Sequence, residues 1–153
     1  MNDKTTTEQK LWRLEQGRLI EETLLDYAFY VDRNDPTSLA EKVFCEDGRF
    51  ELGSQHAVQG RKNLALMFAR TLSKFSATSH HVSNVRVRIS SNTTATASAY
   101  VYAWHAAAED GQRIDLWGRY HDDLRLTPGG WRIAARRLTV VATDGWTDPP
   151  FEL

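Results

Sequence analysis

The order of hydrophobic patterns along these 153 residues predicts an α+β fold: three helices with a small hairpin among them, then four long antiparallel strands. Two observations carry this. Apolar residues in the first half recur mainly at three- and four-residue spacings, whereas those in the second half alternate. The two patterns are also segregated rather than interleaved. Each helix and each strand is apolar on one face, so the sheet is expected to curl around the helices into a cone with an interior pocket.

Thr6 or Thr7 followed by Glu8-Gln9 reads as a helix start. Leu11, Trp12, Leu14, Leu19, Ile20, Thr23, Leu24, Tyr27, Ala28 and Val31 then form one helical face, with a break or kink expected near Gly17 and an end around Arg33-Asn34. Asp35-Pro36 starts a short second helix over Thr37 to Phe44, with Asp35 as the cap and Pro36 at the first helical position. Glu46-Asp47-Gly48 reads as a turn. Arg49 to Leu52 and Gln55 to Val58 make a hairpin around Gly53-Ser54. After a break at Gly60, Arg61 to Phe75 is helical, with Leu64, Met67, Phe68 and Leu72 on one face.

From Ser79 the pattern changes. Val85, Val87 and Ile89 alternate with Arg86 and Arg88, and Ser91-Asn92-Thr93 turns the chain. Thr94 to Ala107, Arg113 to Leu126 and Trp131 to Val141 are the remaining strands, separated by Glu109-Asp110-Gly111 and Thr127-Pro128-Gly129-Gly130. Residues 1–153 are read as one domain, with flexible tails at 1–5 and 144–153.

Composition narrows the function classes. Hydrophobic residues make up 41% and charged residues 25%, as in an ordinary globular protein. A net charge of -1 gives no basis for nucleic-acid or anionic-membrane binding. No apolar run approaches membrane-spanning length, and Met1-Asn2-Asp3-Lys4-Thr5 has no apolar signal core. The single cysteine, Cys45, cannot form an internal disulfide, and a cytoplasmic location is the expectation. His80 and His81 with His105 or His121 lack metal-ligand spacing, and there is no phosphate loop or nucleotide fingerprint; neither a metal nor a cofactor is expected.

Two polar sites about fifty residues apart stand out: Tyr27 and Asp32 at the end of the first helix, and His80-His81 in Thr78-Ser79-His80-His81-Val82-Ser83-Asn84. A carboxylate that orients an imidazole is what proton abstraction from carbon needs. Each has a bland reading. Asp32 could be a solvated or capping carboxylate, and Tyr27 plain core. Strict alternation puts His81 in phase with Val85, Val87 and Ile89, and His80 with Val82, Asn84 and Arg86; a bulge would switch which one points inward. Arg136 shares a face with Ala134, Leu138 and Val140, so it requires a partner, either a substrate oxygen or an ion pair with Asp32 or Asp122. Phe68 reads as core facing the pocket floor. Tyr102, Trp104, Trp117 and Tyr120 are candidate pocket walls, or packing and subunit contacts, and His81 is the competing base.

The chain resembles the SnoaL-like branch of the nuclear transport factor two-like superfamily, the cone-shaped, cystatin-like α+β barrels. The resemblance rests on Tyr27-x4-Asp32-Arg33-Asn34-Asp35, Phe44-Cys45-Glu46-Asp47-Gly48, Gly60, Ser79-His80-His81-Val82-Ser83-Asn84, Gly118-Arg119-Tyr120-His121-Asp122 and Gly130-Trp131-Arg132-Ile133. It is most similar to scytalone dehydratase, the bile-acid dehydratase and the hexachlorocyclohexane dehydrochlorinase. That likeness implies an Asp32–His80 dyad, with Tyr27 where the bile-acid enzyme has a tyrosine and Arg136 where the dehydrochlorinase has an arginine. His80 is preferred to His81 because it lies four before Asn84, as in those enzymes. The dehydrochlorinase has a lysine at the position of Tyr27, which points away from halide ejection.

The expectation is a cofactor-free lyase of the dehydratase type acting on a small hydrophobic molecule with a carbonyl or hydroxyl group. The alternatives are a ketosteroid-isomerase-like isomerase or polyketide cyclase, and a non-catalytic ligand-binding or dioxygenase-small-subunit-like module. By the same likeness the chain is expected to form a homodimer or homotrimer.

Overall fold

A computed structural model describes residues 6–53 and 56–146, with His56 described by its backbone alone. Helix α1 spans Thr7–Asp32 and begins with a capping box, in which the Thr6 hydroxyl accepts from the Gln9 N–H and the Gln9 side chain accepts from the Thr6 N–H. It runs unbroken through Gly17. A single glycine costs about 1 kcal/mol of helix propensity against alanine, too little to interrupt a helix whose other residues hold it. Gln16, next to that glycine, is fixed by a 2.8 Å hydrogen bond from Trp131 Nε1. Ile20, Leu24, Tyr27 and Val31 form the buried face, whereas Leu11 and Leu14 near the N-terminus are exposed.

The chain leaves α1 through Asn34, at φ 53°. Asp35 Oδ1 then accepts from the Ser38 N–H at 3.0 Å and Pro36 occupies the first position of α2, Pro36–Ser38. A π-helical turn follows over Leu39–Val43. Strands β1 (Phe44–Leu52) and β2 (His56–Gln59) form the expected hairpin, with β1 starting earlier than alternation suggested. Gly60, at φ 87°, admits the turn into α3, Arg61–Leu72, which stops short of Phe75.

Phe75 instead opens β3, Phe75–Ile89, followed by β4 (Thr94–Ala107), β5 (Arg113–Thr127) and β6 (Gly130–Asp144). The sheet order is β2-β1-β6-β5-β4-β3. The last four strands form the expected antiparallel meander, and the small hairpin extends it by pairing β1 parallel to β6. The sheet is therefore mixed, curved and open at both edges, with the helices against its inner face. Helix α1 packs mainly on β3, an edge strand, and to a lesser extent on the π-helical turn and on β6, an inner strand. Between these two strands β4 turns short side chains inward: Ala95, Ala97, Ala99, Val101 and Ala103. Of the expected tails, 1–5 and 147–153 lie outside the described residues, and β6 runs on to Asp144. No helix among the described residues is long and apolar enough to cross a membrane.

Candidate active site

Two bulges decide what faces the interior. In β3 the pairs Ser83↔Tyr100 and Arg86↔Ser98 leave one extra residue on the β3 side, and Asn84 there adopts φ 52°. The extra residue puts His80 and Val82 on the same face as Val85, Val87 and Ile89. His81 is turned to the outer face. In β6 the pairs Ile133↔Leu124 and Ala135↔Asp123 leave Ala134 extra. Trp131 and Ile133 can then share the interior with Arg136 and Leu138.

His80 meets the end of α1. Its Nδ1 lies 2.7 Å from Asp32 Oδ1, and its backbone N–H donates to Asp32 Oδ2 at 2.8 Å. Thr78 Oγ1 donates to Asp32 Oδ1, also at 2.8 Å. Partial burial pushes the Asp32 carboxyl upward, but the hydrogen bonds from the His80 ring and backbone and from Thr78 outweigh it and hold the group below the usual aspartate range. An ionised Asp32 calls for a proton on His80 Nδ1, so in the neutral ring Nε2 is the nitrogen that holds the electron pair. The His80 side chain is 9% exposed and that of Asp32 26%, so the dyad is wetter on its carboxylate side.

Two rings stand edge-on to His80: Tyr27 at 6.5 Å and His105 at 5.4 Å between centroids. Burial, followed by the neighbouring His80, pushes the His105 imidazole down to about 4, so it is neutral at pH 7. Its Nδ1 donates to the Ile114 carbonyl oxygen at 3.2 Å, which directs its other nitrogen to act as an acceptor. Tyr27 is buried. Burial raises its hydroxyl to about 12, against the opposing influence of Arg136 and a hydrogen bond from Tyr120.

Arg136 binds Asp122 in a fork, Nε to Oδ1 at 2.8 Å and Nη2 to Oδ2 at 2.7 Å, with both side chains fully buried. The guanidinium carbon lies 4.4 Å from the Tyr27 ring centroid and 4.0 Å from that of Tyr120. Burial works against the Arg136 charge, but Asp122 keeps it protonated. Its remaining nitrogen, Nη1, is buried without a hydrogen-bond partner among the described residues. Asp122, and not Asp32, is thus the partner of Arg136.

Asp32, His80, Tyr27, Arg136, Phe68 and Tyr120 share one interior. Phe68 and Tyr120 both pack edge-on to Tyr27, at 6.0 and 5.5 Å between ring centroids. The other proposed wall residues do not join them. His81, Tyr102 and Trp117 stack in a row across the outer face, at 5.7 and 5.4 Å. Tyr102 donates to Asp115 Oδ1 at 2.6 Å and Arg113 closes the same carboxylate, while Trp104 follows Tyr102 in strand phase. The reading of Tyr102, Trp104, Trp117 and His81 as pocket lining is therefore corrected. In β4 the inward set is Ala95, Ala97, Ala99, Val101, Ala103 and His105, and the aromatic side chains occupy the more exposed face. Thr78 and His105 are members of the cluster that spacing alone did not single out. The signal for His105 lies in register: Thr78 pairs with it across the β3–β4 ladder, next to His80↔Ala103. Among the described residues no group of three or more His, Cys, Asp or Glu side chains is arranged to hold a metal ion.

Comparison with known proteins agrees with this architecture. An uncharacterized protein of Mycobacterium tuberculosis (strain H37Rv) is 28% identical over 123 residues, covering 76% of this chain and 80% of its own. A crystal structure from Novosphingobium aromaticivorans, described as a candidate scytalone dehydratase, superposes with a TM-score of 0.85 at 27% identity, covering 92% of this chain and 93% of the other. A type 2 hexachlorocyclohexane dehydrochlorinase superposes with a TM-score of 0.81 at 18% identity over 92% of this chain and 98% of its own, a likeness of fold alone. The model of the SnoaL-like domain matches residues 12–137, and the chain belongs to that family.

Proposed function

We propose that this protein is a cofactor-free lyase that eliminates water from a small, hydrophobic β-hydroxy carbonyl compound. The observation that carries the reading is the 2.7 Å contact between His80 Nδ1 and Asp32 Oδ1, which leaves His80 Nε2 free beside two edge-on rings. Neutral His80 takes the proton α to the carbonyl, and the C–H electrons form an enolate. Asp32 stabilises the resulting imidazolium and holds its ring in place. The enolate collapses to a conjugated alkene as the C–O bond breaks, and His80 returns its proton to the departing hydroxyl, which leaves as water. Atoms and charge balance without a further reactant.

Tyr27 serves as hydrogen-bond donor to the carbonyl oxygen. A hydroxyl raised to about 12 keeps its proton at neutral pH. Arg136, occupied by Asp122 on one edge, acts through Tyr27: positive charge near that ring favours electron density gathering at the phenol end. His105 supplies an uncharged acceptor next to the base. The 27% identical scytalone-dehydratase-like structure supports the same reaction class.

The test is turnover of a panel of β-hydroxy ketones by the wild type and by His80→Ala, read as conjugated-enone absorbance with mass spectrometry of the product. Loss of one water from the substrate, abolished in His80→Ala, supports elimination. Turnover of β,γ-unsaturated ketones instead, to conjugated enones of unchanged mass, replaces it with isomerisation at the same dyad. Equal rates in the two proteins would end the proposal.

A further inference from the structure

The sheet carries a second concave feature, on the face opposite the dyad. It is a trough of about 730 Å³, within the size range of small-molecule sites. Strand register sets its shape. One cross-strand row runs Arg88–Thr96–Asp123–Ala135, and the adjacent row runs Arg86–Ser98–His121–Arg137. The central strands contribute short side chains as the floor. Arg86 and Arg88, on the edge strand β3, form one wall, and Arg137 stands at the other.

The charges are unevenly satisfied. Arg137 pairs with Glu51 at 2.9 Å, and Arg136 and Asp122 neutralise one another behind the floor. Arg86 and Arg88 have neither an ion-pair nor a hydrogen-bond partner among the described residues. They lie two residues apart on one face, so their backbones are about 7 Å apart along the strand. The hydroxyls of Ser98 and Thr96 stand directly opposite them in register. Asp123 is the one carboxylate in the trough without an ion-pair partner among the described residues, and it sits beyond Thr96, two strands from Arg88.

We infer that this trough binds a phosphate-type oxyanion carried on a small molecule, held between Arg86 and Arg88 with Ser98 and Thr96 donating from the floor. Two forked guanidiniums flanked by hydroxyl donors match the tetrahedral oxygens of phosphate better than a single carboxylate. Asp123 orients the ligand by excluding its anionic end from the β5 side and accepting hydroxyl protons from its body. The site is separate from the dyad, on the other side of the same strands, so it stands or falls independently of the proposed elimination.

The probe is inorganic pyrophosphate, titrated calorimetrically at constant ionic strength against the full chain. Saturable binding at one site per chain is expected. Arg86→Ala/Arg88→Ala should weaken it at least about tenfold, as loss of two charge-assisted contacts implies. Ser98→Ala/Thr96→Val should weaken it less, and His80→Ala should leave it unchanged. These arginines are exposed, so the variants should fold; sedimentation velocity checks both folding and assembly state. Absence of saturable binding, or unchanged binding in the double arginine variant, overturns the inference. So does a wild-type oligomer that the arginine substitutions dissociate while pyrophosphate fails to bind, which would make the trough a subunit contact.

Discussion

Asp32 grips His80 at two points: Oδ1 lies 2.7 Å from the ring nitrogen Nδ1, and Oδ2 accepts the backbone N–H of the same residue at 2.8 Å. The second bond fixes where the strand passes the helix end, and the first fixes the ring on that strand. The placement sets the carboxylate against the negative end of the α1 dipole, and three hydrogen bonds, including one from Thr78, offset this and its partial burial and hold the group below the usual aspartate range. Removal of a general base typically costs about 10²–10⁴-fold in rate. His80→Ala should lose that much turnover with little change in thermal stability. Asp32→Asn should lose a comparable amount, since the amide also presents a donor to an imidazole that needs an acceptor. Steady-state kinetics on any turned-over β-hydroxy ketone checks both.

The helices and the meander are legible in the sequence because each rests on periodicity, whereas the choice of His80 as the partner of Asp32 rests on the family resemblance, through its position four residues before Asn84. Which side chains face inward was less legible. Strict alternation favours His81 over His80, and Trp131 and Ile133 would set Arg137, not Arg136, toward the interior. In each case one extra residue in the strand resets the phase, at Ser83–Asn84 and at Ala134. A bulge is a property of pairing with the neighbouring strand, so a strand read alone does not reveal it. The same limit misplaced Tyr102, Trp104 and Trp117: aromatic bulk suggested the interior, while β4 turned alanines inward.

Arg136 and Asp122 allow structural and chemical roles to be separated. Arg136→Met leaves a buried Asp122 uncompensated and should destabilise the fold by about 3–5 kcal/mol. Adding Asp122→Leu removes the orphaned charge and should restore most of that stability. If turnover stays low in the stable double variant, with kcat reduced more than KM is raised, Arg136 contributes to the chemistry through Tyr27. If turnover returns with stability, the pair serves only the fold. Urea unfolding and kinetics on the three proteins decide.

His105 makes stability depend on pH in a defined window. The folded imidazole titrates at about 4 and the ordinary value is 6.5. Between those values the unfolded chain binds a proton that the folded chain refuses, so this group favours folding fully above pH 6.5 and its contribution is lost as pH falls toward 4. The shift corresponds to about 3 kcal/mol over that window. His105→Gln cannot take up the proton in either state and should show a shallower fall in unfolding free energy from neutral pH down to about pH 4. Its absolute stability will be lower, because the ring packs 4.6 Å from Phe75, so the slopes and not the midpoints are the test. Parallel slopes would mean that His105 is not buried in its neutral form.

Asn84 is where the β3 phase is set, and its φ of 52° is a left-handed conformation that asparagine tolerates and β-branched residues resist. Asn84→Gly should leave stability within about 0.5 kcal/mol and keep full turnover. Asn84→Val should cost about 1–2 kcal/mol, because the valine must either accept the strained conformation or remove the bulge. Removing the bulge by rotation of the strand would carry His80 away from Asp32 and bring His81 inward. Deleting Asn84 is different: the shortened strand alternates regularly with His80 and Val85 on one face, so the dyad should survive. The readout is the low-field imidazole proton of a Nδ1–H bonded to carboxylate, followed by NMR in each variant. It should persist in the glycine and deletion variants and weaken in the valine variant; loss of the signal on deletion would show that the bend at the bulge, and not the phase it sets, is what brings His80 to Asp32.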